Sequence, residues 1–232
     1  MELVTIATYA LEIATTVAGF TCTTLILRRD SKYVGNRLMA IATTCVGLYT
    51  LAIMGYDVIR TEAAVFTLLP LAFALIFSTP MFIFLAMQVM VHSSQWFDEK
   101  KNWVPWLVFL AAFVTFLYTS DVATIVSLDP VVNVQVDLLA LLIVVVFVLF
   151  FLVHSLVDLY VQGIKQAEGV HRRKMVAFEV GILVEIGSVV VNIASQLVED
   201  ANVGGVLDLA FFALLAAGMS IIAAGFLIRV NE

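Results

Sequence analysis

Residues Ile164–Asp200 read IKQAEGVHRRKMVAFEVGILVEIGSVVVNIASQLVED. The stretch opens on a basic cluster, Lys165, His171, Arg172, Arg173 and Lys174. It then runs apolar from Met175 to Leu197 and closes on Glu199 and Asp200. A helix rises about 1.5 Å per residue, so roughly 20 apolar residues cross the hydrocarbon core of a bilayer. Inside the run, Gly181, Glu185, Ser188, Asn192, Ser195 and Glu199 recur every three or four residues, which is one face of a helix. An unpaired polar group in lipid costs several kcal/mol. The spacing therefore predicts a spanning helix whose polar face turns into a protein bundle.

Composition agrees. Of 232 residues, 62% are hydrophobic and 13% charged, with a mean hydropathy of +1.07. A soluble domain is about half apolar and a quarter charged, so a multi-pass membrane protein with almost no soluble mass is expected. A net charge of -6 argues against nucleic acid as a partner. The two cysteines, Cys22 and Cys45, fall in apolar segments and exclude a disulfide framework. The opening MELVTIATYALEIATT has no positive leader region, and a first spanning helix is expected there rather than a removed signal.

Seven apolar segments follow one another: Leu3–Leu27, Leu38–Ile59, Ala63–Val91, Trp103–Thr119, Leu138–Gln162, Met175–Leu197 and Val206–Ile228. The expected fold is all-α, a single seven-transmembrane-helix bundle over residues 1–232. Pro70 and Pro80 fall inside the third segment. Eleven of the twelve Lys and Arg lie on alternate connections or after the last segment; Arg60 alone lies on the other side. Positive residues mark the cytoplasmic side. The N-terminus is therefore expected outside and the C-terminus on the cytoplasmic side of the cell membrane. Arg28, Arg29, Arg172, Arg173 and Lys174 form the cytoplasmic basic cluster. The outer side collects Glu2, Asp57, Glu62, Asp121, Asp129, Asp137, Glu199, Asp200 and Asp208, either as a solvated face or as an attraction for cations. Trp96, Trp103 and Trp106 mark the cytoplasmic interface, and Tyr118 the opposite one.

The first segment carries its own polar face: Thr5, Thr8, Tyr9, Glu12, Thr16, Gly19 and Thr23. Intramembrane carboxylates are rare and costly. Glu12, Glu185, Ser188 and Asn192 are therefore candidates for a ligand or ion, and are expected to face one shared polar interior. The competing reading is hydrogen-bonded glue between helices. For Glu179, near Arg172 and Arg173, an interfacial ion pair is expected. Gly181, Gly187 and Ser188 are small enough to permit close helix approach.

No G-x-S-x-G, H-E-x-x-H, C-x-x-C or Walker-type loop occurs, so a non-enzymatic role without catalytic residues, metal or cofactor is expected. FSTPMFIFLA at Phe77–Ala86 is faintly similar to the retinal-site segment of microbial rhodopsins. The corresponding part of the seventh segment, DLAFFALLAAG, has no lysine to form a Schiff base.

Three longer stretches carry a broader resemblance: LILRRDSKYVGNRLMAIATTCVGLY at 25–49, LPLAFALIFSTPMFIFLAMQVMVHSSQWFDEKKNWVPWL at 69–107, and GVHRRKMVAFEVGILVEIGSVVVNIASQL at 169–197. Together they resemble the seven-helix N-terminal sensor region of archaeal and bacterial histidine kinases. The resemblance implies a seven-helix module with its N-terminus outside that passes signals inward, and it suggests a dimer. Only Asn231 and Glu232 follow FLIRV, so an excised module or a stand-alone relative without a kinase domain is expected.

Three roles stand open. The first is a sensory or receptor-like module that binds a small ligand, a lipid or a partner protein. The second is a structural or accessory subunit of a larger membrane complex. The third is an ion or solute conduit using the intramembrane carboxylates. Membrane lipids and a homodimer or signalling partner are the expected associates. The topology is checked by labelling: a cysteine at Ser127 should react with an impermeant thiol reagent added outside whole cells, and one at Gln166 should not. The reverse pattern would invert the orientation.

Overall fold

The computed structural model describes residues 2–120, 122–128, 132–198 and 201–228, with side chains from residue 6 onward in the first helix and from 203 in the last. Asp121, Asp129, Glu199, Asp200 and Arg229, and the side chains of Glu2 and Thr5, lie outside the described part. The long helices are α1 Glu2–Arg29, α2 Val34–Ile59, α3 Glu62–His92, α4 Val104–Thr119, α5 Leu138–Asp158, α6 Gly169–Leu197 and α7 Ala201–Leu227. A π-helical segment, Leu159–Ile164, extends α5. Each expected apolar segment falls on one of these helices. The ends differ where apolarity and helicity part company: α6 begins at Gly169, because the basic run His171–Lys174 is helical although it is not apolar.

Six of the helices are long and apolar enough to cross a membrane: all but α4. α4 has 16 residues, about 24 Å of rise against a hydrocarbon core of about 30 Å. By length and composition the seven expected spans become six. The chain is all-α apart from one feature missing from the expectation. Within the longest connection, β1 Ala123–Ser127 pairs antiparallel with β2 Asn133–Val136, Ala123 opposite Val136, with a register shift between Ile125 and Ser127. The alternation in NVQV and the β-branched run Thr124–Val126 were the available signals.

Local chemistry sets the corners. Arg60 closes α2 in the left-handed conformation (φ 51°), its N–H bonded to Tyr56 O. Thr61 then caps α3, its hydroxyl accepting from Ala64 N at 3.3 Å. The whole turn between two spanning helices is two residues long. Asp137 caps α5 through Ala140 N at 3.0 Å. α3 runs through Pro70 and Pro80, with the Ser78 hydroxyl donating to Ala74 O and that of Thr79 to Leu75 O.

Consecutive helices run antiparallel. Thr23 near the end of α1 meets Thr43 and Thr44 near the start of α2, and Thr16 meets Thr50 further along. Phe178 meets Phe226 across α6 and α7, and Phe84 meets Trp106 while Tyr118 OH reaches Thr67 O across α3 and α4. α1, α2, α3, α5, α6 and α7 pack in that cyclic order, α7 closing onto α1, and α4 lies outside against α3. Threading the chain through this order gathers the described Lys and Arg, Arg60 excepted, at one end of the bundle. Aromatic rings join α4 to α3 and α5: Phe77 stacks on Phe113 at 4.0 Å and Phe109 on Phe147 at 4.2 Å.

Two glycines set the closest approaches. A Cβ on Gly19 of α1 would lie 2.8 Å from Thr43 O and 2.9 Å from Gly47 N of α2, both backbone atoms that cannot step aside. Gly181 of α6 meets the backbone and side chain of Ile222 on α7 in the same way. Gly187, by contrast, has nothing within 4 Å, so it takes no part in such an approach. Gly19→Ala should therefore lower the thermal midpoint of the purified protein, at an overpacking cost of about 1–3 kcal/mol. Gly187→Ala, measured beside it, should not lower it.

Candidate functional site

Glu12 lies on the face of α1 that meets α2 and α7, and is 1% exposed. Asp57 of α2 and Asp208 of α7 stand close enough to act on its charge. Tyr49 and Tyr56 of α2 neighbour both Glu12 and Asp208, and Tyr9 lies one turn before Glu12. The ring of Tyr49 leans on Phe211 and Phe212, with centroids 6.3 and 6.5 Å apart, which closes this place toward mid-membrane. Ser195 of α6 stands beside Asp208. Glu12 Oε2 has no hydrogen-bond partner among the described residues. A buried acceptor left unmatched normally costs about 1–3 kcal/mol.

Glu185, on the face of α6 toward α7, is 4% exposed, and its Oε1 is likewise unmatched among the described residues. It occupies the space left by a missing side chain: a Cβ on Gly218 would sit 2.5 Å from that oxygen. The Met219 amide also lies near the carboxyl. The Ser188 hydroxyl donates to the backbone carbonyl of Glu185 at 2.7 Å, and that of Ser195 to the carbonyl of Asn192 at 2.8 Å. Both hydroxyls bond back to their own helix, while Ser188 also lies beside the Glu185 carboxyl and Ser195 beside Asp208 of α7. Asn192 is half-buried.

The two carboxyls do not meet. Asp208, beside Glu12, and Gly218, beside Glu185, are ten residues apart on α7, roughly 15 Å along its axis. Phe211, Phe212 and Leu215, all buried, lie between those levels. The bundle therefore holds two polar places at different depths where the spacing alone suggested one interior. Sequence reasoning singled out Glu12 but counted Asp57 and Asp208 as outer surface and passed over Tyr49 and Tyr56. The seven-residue interval from Tyr49 to Tyr56, two turns on one helix face, was the signal that could have found them.

At the other end of the bundle, Arg28, Arg29, Arg172 and Arg173 are exposed. Lys174 is half-buried, its ammonium 5.6 Å from the Phe226 ring centroid and 6.0 Å from that of Phe178, with Arg29 nearby. Glu179 is half-buried, and among the described residues it forms no ion pair with Arg172 or Arg173. His154 pairs with Asp158 at 3.4 Å, and Gln88 of α3 donates to the same carboxylate. Among the described residues no three His, Cys, Asp or Glu side chains converge as metal ligands. No protein-family model and no curated protein matches the chain.

The Glu185–Gly218 contact makes a measurable pair. Glu185→Gln keeps the shape and should leave the melting temperature nearly unchanged. Gly218→Ala should destabilise by about 1–2 kcal/mol, because the new methyl meets the carboxyl. Combining it with Glu185→Ala should recover at least about 0.5 kcal/mol relative to the sum of the single effects. An additive double mutant in the same unfolding assay would mean that the two side chains do not touch.

Proposed function

We propose that this chain is a non-enzymatic, receptor-like module of the cell membrane. Its ligand place is the polar cluster between α1, α2 and α7, at the end of the bundle opposite the basic cluster and beside Arg60. One observation carries the proposal: a buried carboxyl, Glu12, with an unmatched oxygen among two further acids and three tyrosines. Intramembrane carboxylates with no internal partner serve function more often than stability. Arg60 bonds Tyr9 and faces Asp57 at this place, but three carboxyls outnumber that one cation, so the matching ligand is small and carries donors, as a protonated amine or a polyol does. The sensor-region resemblance of residues 25–49, 69–107 and 169–197 supports the same role.

The proposal includes seven crossings with the N-terminus outside. α4 is short, but it accompanies α3 from the level of Thr67, where Tyr118 reaches it, to that of Phe84, where Trp106 meets it. Seventeen residues of α3 cover about 25 Å. Trp103 and Trp106 at one end and Tyr118 at the other suit the two interfaces of a thin span. The segregation of Lys and Arg to one end supports a cytoplasmic C-terminus by the positive-inside rule.

The second role, accessory subunit of a membrane complex, is favoured by α4 as well: only Phe113 and Leu117 of that helix are buried, which leaves an apolar flank for a partner helix. The engagement of Thr16 and Thr23 with α2 suits that role too. A conduit draws less support, since buried aromatic rings separate the levels of Glu12 and Glu185.

The test is a thermal-shift screen of small amines and polyols on the purified protein, repeated on Glu12→Gln and Asp208→Asn. A compound that raises the wild-type melting temperature should lose its effect in both variants, while their ligand-free melting temperatures stay within a few degrees of wild type. A shift that survives in both variants would place the ligand elsewhere. Co-purification of a stoichiometric membrane subunit, with no ligand response, would favour the second role.

A further inference from the structure

Two shallow depressions meet where α1 reaches the basic end. One, about 400 Å³, runs along the outward flank of α1 past Val17, Phe20 and Leu25 to Arg28. The other, about 440 Å³, is bounded by Leu25, Arg28, Arg29 and Leu227 of α7. They share Leu25 and Arg28, so they form one groove in which Val17, Phe20 and Leu25 are interleaved with Thr16, Thr21 and Thr24, and which is cationic at its head. From Val17 to Arg28 is eleven residues, roughly 16 Å of rise, about half the ~30 Å hydrocarbon thickness. The groove therefore has the length of one leaflet.

The charges at its head lack an internal counterpart. Arg28 and Arg29 end α1, where the helix dipole favours cations, but His171, Arg172, Arg173 and Lys174 crowd the first two turns of α6, where it disfavours them. Lys174 is held half-buried over Phe178 and Phe226, with Arg29 as its charged neighbour. Among the described residues, no carboxylate lies within ion-pair distance of Arg28, Arg29 or Lys174. Like charges brought together at the head of a channel floored by Val17, Phe20 and Leu25 are matched by an anion that carries an apolar tail.

We propose that this groove binds one anionic phospholipid of the leaflet at the basic end of the bundle. Its phosphate sits between Arg28 and Arg29, within reach of the field of Lys174, and one acyl chain lies along α1 over Leu25, Phe20 and Val17. The site is independent of the Glu12 cluster, which lies at the opposite end.

The test is native mass spectrometry of delipidated protein titrated with phosphatidylglycerol, with phosphatidylcholine of the same chains, and with inorganic phosphate as competitor. One phosphatidylglycerol should bind at least about tenfold more tightly than phosphatidylcholine. Each basic residue near an anionic lipid contributes roughly a factor of five, so the double variant Arg28→Gln, Arg29→Gln should lose about 25-fold. The double variant Arg172→Gln, Arg173→Gln, at the same end but outside the groove, should stay within about twofold of wild type. Val17→Trp, on an exposed flank, should weaken the bound lipid by filling the chain groove without touching the core, and it carries the test if the Arg28 and Arg29 variant fails to fold. Equal affinity for the two lipids, or an equal loss in both arginine pairs, would overturn the proposal in favour of a diffuse basic surface. Displacement of the lipid by millimolar phosphate would overturn it in favour of a simple anion site.

Discussion

A helix in lipid has no water to receive its polar side chains, and its backbone groups are already spent on one another. Each hydroxyl, amide and carboxyl on a spanning helix must therefore find a partner in its own turn, in the next helix, or in a ligand. This constraint arranges the bundle. Most hydroxyls settle within their own helix, as Ser78, Thr79, Ser155 and Ser188 do. Those of Thr16 and Thr23 also reach across to α2. They can do so because Gly19 lets the backbones of α1 and α2 come within van der Waals contact. Among the described residues two buried side-chain oxygens then stand out as unmatched, one on Glu12 and one on Glu185.

The exceptions differ in kind. Glu185 fits a notch made by Gly218, so its carboxyl replaces a side chain that α7 lacks. Its surroundings are a helix–helix contact. Glu12 lies among groups of its own chemistry, Asp57, Asp208 and three tyrosines, drawn from three helices. Arg60, at the same corner, bonds Tyr9 and faces Asp57, and Ser195 stands beside Asp208, yet one oxygen of Glu12 keeps no hydrogen-bond partner among the described residues.

Most of the architecture was legible in the sequence, because the bilayer imposes one length and one hydropathy on every span. The seven segments each fell on a helix, and the alternation of Lys and Arg gave the common end of the bundle. What escaped had a physical reason. The basic start of α6 is helical without being apolar, so hydropathy placed the helix start too late. The hairpin at 123–136 carries its strand signals over only nine strand residues, too short to stand out in a chain searched for membrane spans. Glu12 and Glu185 were legible as costly residues, but helical spacing gives a face and not a depth, so it could not separate the two places. Asp57 and Asp208 sit near helix ends, where charge reads as solvent exposure; only the packing of α1 between α2 and α7 turns them inward.

The two-residue corner at Arg60 and Thr61 has a mechanical meaning. With a left-handed residue closing α2 and a capped α3 beginning at once, there is no slack between these helices, and their buried faces join them along their length. They can tilt only as a single lever. Tyr56 and Asp57 lie on the last turn before that corner, so anything that pulls on them acts on the end of a beam whose far end, near Gln88 and His92, is tied through Asp158 to α5. Movement at the acidic cluster would then reach the opposite face of the membrane as a rotation of this rigid pair, with no need for any helix to bend.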